Sequence, residues 1–161
     1  MQKEISSESR IRFSDCDPIG HLNNVKYLEY MLNAREDHVE SGYGFTYEEY
    51  TRKTGCTWIT IQNEIAYLKE VRYNAKVLIS SKTIEVGDRL SKVEILMKSA
   101  DGKTIHSVLW MSVIYFNMKT RKSEVHPVDT KRLFERFLVD LEEKDFKSRV
   151  SHFRKQNKKA N

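Results

Sequence analysis

Residues 104–116 are apolar on both faces at once. Ile105, Leu109, Met111, Val113 and Tyr115 fall on one side of an extended segment, and Val108, Trp110, Ile114 and Phe116 on the other. A strand with one wet face alternates apolar and polar residues, so this one needs cover on both sides and belongs in the interior of its sheet. Neighbouring segments can supply that sheet. From Thr57 the period is two, with Ile59, Ile61, Ile65 and Tyr67 on one face, until Lys69-Glu-Val-Arg breaks it. Residues 75–86 predict a second strand through Val77 and Ile79, and Gly87-Asp88 turns it into a third over 90–99. Asp101-Gly102 is a strong hairpin signal into the doubly apolar strand. An earlier strand is expected over 4–13, alternating around Ile11 and Phe13.

Between that first strand and the others the period is helical. Val25, Leu28, Leu32, Arg35 and Val39 recur three to four apart, with Met31 and Ala34 beside them. This helix should run to about Ser41 and stop at Gly42, with His38 favourably placed in its last turn. A shorter polar helix is expected over 46–53. One long helix followed by a run of antiparallel strands predicts an α+β fold in which the sheet wraps the helix. Past Pro127, the residues Leu133, Phe134, Phe137, Leu138 and Leu141 form a further helical stripe, which Phe146, Val150 and Phe153 continue less regularly. The chain then ends in a run rich in Lys and Arg. That end reads as a solvated, partly frayed tail, with docking of an acidic carrier protein or of nucleotide phosphates as the alternative.

A chain of 161 residues supports one domain that buries roughly two-thirds of its unfolded surface. No apolar run approaches the ~18 residues that a membrane span needs, and Met-Gln-Lys-Glu-Ile is not a signal-peptide core, so a cytoplasmic location is expected. Cys16 and Cys56 fit neither a disulfide framework nor zinc-ligand spacing, and the aspartates flanking Cys16 disfavour a thiolate there. His106, His126 and His152 form no metal-ligand pair, and no metal or organic cofactor is expected. Glycine-rich phosphate loops and serine nucleophile elbows are absent. Trp58, Trp110 and Tyr67 read as sheet core, and Arg35 and Glu36 as structural. The net charge of +5 suits an anionic partner without choosing among nucleic acid, coenzyme A phosphates and an acidic carrier protein.

The stretch with chemistry in it lies where the first strand meets the long helix: Phe13-Ser-Asp-Cys-Asp-Pro-Ile-Gly-His-Leu-Asn-Asn-Val-Lys-Tyr27. Pro18 pushes Asp17 out of helical geometry, and Gly20 permits a sharp reversal. Asn23 or Asn24 is a good N-cap, its side-chain oxygen accepting from first-turn amides. Asp17 and His21 are thereby held beside a helix N-terminus, whose free N–H groups and partial positive charge suit a developing oxyanion.

The order Asp-x-Asp-Pro-x-Gly-His-x-Asn-Asn-x-x-Tyr resembles the N-terminal signature of hotdog-fold thioesterases. It is similar to the 4-hydroxybenzoyl-CoA thioesterase group and, through His21-Leu-Asn-Asn-Val-Lys-Tyr27, to the fatty acyl-carrier-protein thioesterases. The resemblance covers about residues 5–128. It implies a single hotdog domain over 1–128, with residues 129–161 as a helical, basic extension. It also implies hydrolysis of an acyl-CoA or acyl-carrier-protein thioester, with Asp17 as the nucleophile or as the base for a water. The oxyanion donors would be the amide of Asn24 with Asn23 or Val25 nearby. Gly20 and Asp15 would shape the substrate side of the loop, Asp15 either coupling to Asp17 or bracing the loop through backbone amides or Arg12. His21 takes the place of the histidine of the carrier-protein pattern, although Ile19 stands where that pattern has Asn. It would orient the thioester, hydrogen-bond Asp17, or brace the loop. In similar proteins the acyl chain enters between subunits, so a homodimer or homotetramer is expected. A nucleic-acid partner is not. The competing readings are a non-catalytic acyl-thioester or RNA-binding module and a hotdog hydratase or dehydratase.

Overall fold

The computed structural model describes residues 1–161. Strand β1 (Ile5–Arg10) leads through a single 3-10 turn (Phe13–Asp15) to helix α1 (Asn24–His38). A π-helical turn (Val39–Tyr43) carries the chain into α2 (Tyr47–Thr54). There follow β2 (Cys56–Tyr67), β3 (Lys76–Val86), β4 (Leu90–Ser99), β5 (Ile105–Asn117) and the short β6 (Lys122–Ser123), and then α3 (Val128–Phe137) and α4 (Phe146–Ala160). All strand pairs are antiparallel, in the order β1-β3-β4-β5-β2, with β6 added to the end of β5. No helix is long and apolar enough to cross a membrane.

The sheet curls around α1, as an α+β hotdog arrangement requires. Tyr27, Met31 and Ala34 of the helix pack against Val77, Ile79, Val93, Ile95, Met97, Leu109 and Met111. The expected stop at Gly42 is displaced. The helix widens into the π turn, and Gly44, at φ 83°, takes the left-handed position that ends it. The short α2 is closed by a reciprocal capping box between Thr46 and Glu49.

β5 is covered on both faces. Its inward residues meet α1, while Val108 and Trp110 on the outer face meet Val150 and Phe153 of α4. The basic C-terminus is therefore a docked helix and not a frayed tail. Asp145 caps it by accepting from the Ser148 amide at 2.8 Å. Burying one aromatic and one valine side chain contributes roughly 1.5–3 kcal/mol each. Arg149 goes in with them and forks onto the fully buried Glu94, its Nε and Nη2 each donating across 2.7 Å. Trp110 Nε1 donates to the same carboxylate at 2.8 Å, and Lys82 Nζ lies 3.3 Å from it. Burial alone would raise the Glu94 pKa, but the hydrogen bonds and charge of Arg149, with Lys82, hold it below the usual range. Asn157 adds two bonds, to the backbone N–H and C=O of Ile105.

β2 lies at the edge, and there the core expectation for its apolar face fails. Ile59 and Ile61 are exposed, Ile61 at 54%, and every residue from Ile59 to Asn63 is open to solvent. Tyr67 is also largely exposed, whereas Trp58 is half-buried and Trp110 buried.

Candidate active site

The loop before α1 is a small hairpin. The Asn23 amide donates to the Asp15 carbonyl at 3.0 Å, Cys16 bridges Leu22, and the Asp17 amide donates to the His21 carbonyl at 2.8 Å. Pro18 and Ile19 form its tip, and Gly20 at φ 82° closes it, its N–H donating to the Asp17 carbonyl at 3.0 Å. Asp17 Oδ1 accepts from the amides of Ile19 at 3.0 Å and His21 at 2.9 Å. One carboxylate oxygen is thus pinned by two backbone donors, and Oδ2 takes no hydrogen bond within the chain.

The Asp15 carboxylate faces α1. Its Oδ2 accepts from the Tyr30 hydroxyl at 2.6 Å, Lys26 Nζ lies 3.7 Å from Oδ1, and the Arg12 backbone N–H donates to the same Tyr30 hydroxyl. Asp15 therefore ties the loop to α1, through Tyr30 and not through Arg12. His21 presents its ring to Glu70, with Nδ1 and Oε2 3.5 Å apart, while its backbone holds Asp17 from both sides. Burial, then the charges of Asp15 and Asp17, push the Cys16 thiol pKa up and keep it protonated.

At the helix entrance Asn23 is the N-cap residue, yet its side chain caps nothing. Its carbonyl accepts from the Lys26 amide at 2.9 Å instead. The amides of Asn24 and Val25 have no partner within the chain, and both residues are exposed. The Asn24 carbonyl is fixed by the Tyr67 hydroxyl at 3.0 Å, which ties the entrance to the far end of β2. Asp17 stands two residues up the hairpin from the Asp15–Asn23 pair, about 7 Å at ordinary strand rise. The structure brings Asp17, Gly20, His21, Asn23, Asn24 and Val25 into one corner, where Asn24 and Val25 are exposed and the other four half-buried.

An apolar cavity lies elsewhere. A space of about 230 Å³ lies between the second half of α1 and the sheet, and none of those corner residues lines it. Its walls include Arg35, Tyr43, Tyr47, Trp58, Ser91 and Phe134. From Asn24 to Arg35 is about 16 Å along the helix axis at 1.5 Å per residue. Arg35, a charge on the apolar stripe of α1, is one of these wall residues.

The curled antiparallel sheet and the helix it encloses define a hotdog-type fold. The chain belongs to the thioesterase-like superfamily, whose family model matches residues 11–148. No curated protein sequence matches the chain. Among solved structures it is similar to the YbaW probable thioesterase from Escherichia coli, at 16% identity and TM-score 0.73, covering 83% of this chain and 98% of that one. It is also similar to the 12:0-ACP thioesterase from Umbellularia californica, at 16% identity and TM-score 0.75, covering 86% of this chain and 52% of that one. A third is Slr0204, a 1,4-dihydroxy-2-naphthoyl-CoA thioesterase from Synechocystis, at 11% identity and TM-score 0.72, covering 87% and 98%. At these identities the likeness speaks for the fold.

Proposed function

We propose that the protein hydrolyses acyl thioesters of coenzyme A or of an acyl carrier protein, with Asp17 as the reacting carboxylate. The observation that carries this reading is a carboxylate held by two backbone amides through one oxygen, its other oxygen free, beside two unpartnered helix N-terminal amides. A thioester carbonyl spans the remaining gap. Its carbon meets Asp17 Oδ2, or a water that Oδ2 activates, while its oxygen points at the Asn24 and Val25 amides. Charge developing on that oxygen falls where donors are already fixed, and each such donor contributes about 10²–10³ in rate. His21 acts through its backbone by orienting Asp17.

The acyl group needs a pocket that this corner lacks within one chain. β2 offers a free edge, open on both faces over residues 59–63. Two copies paired antiparallel about Ile61 set Trp58 of each opposite Glu64 of the other. That brings the cavity of one copy beside the helix entrance of its mate. Because α4 covers the outer face of β5, a dimer along β2 is the assembly we favour over a tetramer stacked through that face.

A panel of acyl-CoA and acyl-carrier-protein thioesters, read by free-thiol release, tests the activity. Asp17→Asn is expected to lose at least 10²-fold in kcat with KM little changed. An Asp17→Asn variant as fast as its parent would remove Asp17 from the mechanism. Single turnover in ¹⁸O-water, with both product and protein weighed, reports on the route: an acyl–Asp17 anhydride that water opens at the Asp17 carbonyl leaves the label on the protein and an unlabelled oxygen in the product, whereas a water activated by Asp17 puts the label in the product and none on the protein.

A further inference from the structure

We propose that the cavity under α1 receives an acyl group whose far end carries a carboxylate, held by Arg35 and Ser91. Arg35 is only 6% exposed and Ser91 only 2%, and both line the cavity. Arg35 Nη1 donates to Ser81 Oγ and Nη2 to the Tyr43 hydroxyl, each at 3.2 Å, and the guanidinium lies 4.9 Å above the centre of the Tyr43 ring. All of these partners are neutral. None of the chain's ion pairs includes Arg35, and its Nε–H has no acceptor. Ser91 Oγ is likewise buried without a partner.

A buried charge is ordinarily paired, and Glu94 with Arg149 shows that this chain can pair one. At Arg35 the chain instead leaves a guanidinium N–H and a hydroxyl unmatched on the wall of one apolar space. Apart from Glu36, Thr60 and Thr83, the remaining walls are apolar or aromatic, so the cavity suits a small hydrocarbon or aryl body with one anionic end. Glu36 is the other charged residue of the lining; it is exposed, so a carboxylate is repelled at that side and drawn to the depth of Arg35. A carboxylate that enters meets the open Nε–H of Arg35, whose guanidinium the fold has already desolvated, and Ser91 Oγ is a second unmatched donor on the same wall. Carriage of this group as a thioester rests on the hydrolase reading above, whereas binding of the carboxylate does not.

Isothermal titration of the full chain with hexanoate and with hexanamide tests the binding. The expected result is a ten- to hundredfold preference for hexanoate, the range for a charge-assisted hydrogen bond. Arg35→Gln should abolish that preference. Ser91→Ala, which breaks no bond within the chain, should reduce it severalfold while leaving the thermal midpoint in place. Equal affinity for the two probes, no binding of hexanoate, or a preference that survives both substitutions overturns the proposal. In turnover, kcat/KM for adipoyl-CoA should exceed that for hexanoyl-CoA by about tenfold or more, and Ser91→Ala should narrow the gap; equal values overturn the substrate class. Selective hexanoate binding with no thioester cleaved at all defeats the hydrolase reading alone.

Discussion

Replacing Arg149 by Met tests what holds the C-terminal helix on the sheet. The guanidinium supplies two bonds of 2.7 Å to a carboxylate that is 0% exposed. Methionine gives up the guanidinium that lies 4.4 Å over the centre of the Phe153 ring and leaves Glu94 with only Trp110 and Lys82. Removing one partner of a buried pair costs about 3–5 kcal/mol, and the surviving Lys82 places this case near the lower end, about 3 kcal/mol. For a domain of this length each kcal/mol moves the midpoint by about 2–4 °C, so Tm should fall by roughly 6–12 °C. The effect carries a pH signature. The Glu94 carboxyl titrates below its ordinary value of 4.5, so its contribution to stability is present above that pH and is lost as pH falls through the folded value. In Arg149→Met the carboxyl loses its main anchor and its pKa rises, so the deficit relative to the parent should shrink in acid. Urea unfolding at neutral pH and near pH 4 measures both. A loss under about 1 kcal/mol at neutral pH, or no recovery when Glu94→Gln is added to Arg149→Met, would refute the reasoning.

Two further outcomes are expected. Ile61→Glu, which puts like charges against each other at the centre of the proposed β2 pairing, should leave the chain monomeric by sedimentation at concentrations where the parent is dimeric, with acyl-CoA turnover lost too. His38 sits between Ser7 and Ser81 beside Arg35, and burial first, then the Arg35 charge, lowers its pKa to about 4. The unfolded chain therefore binds that proton first, and stability should fall as pH drops from about 6.5 towards 4. In urea midpoints across that range, His38→Asn should show a flatter profile than the parent.

Local pattern carried much of this protein. Helical spacing through Val25, Leu28 and Leu32 marked α1, Asp101-Gly102 marked a hairpin, and two-faced apolarity marked β5 as a covered strand. The Asp17 loop was readable because Pro18 and Gly20 dictate backbone shape within a few residues. Even there, detail depended on the third dimension: Tyr30 holds Asp15, and the Asn23 carbonyl, not its side chain, meets the first turn.

What the sequence by itself determined was which segments are helix or strand and where the turn that carries Asp17 falls, since periodicity and turn chemistry act over a handful of residues. The tertiary structure alone decided what covers each surface. Ile59 and Ile61 carry the alternation of a core strand, yet they lie on an edge because no element of the chain packs there. The basic C-terminus looked like solvent-facing charge because the partner of Arg149 lies 55 residues away on β4. Arg35 acquires its meaning only where α1, β2, β4 and α3 converge to enclose a cavity. Burial and charge pairing are properties of residues brought together across the fold, and no local window of sequence contains them.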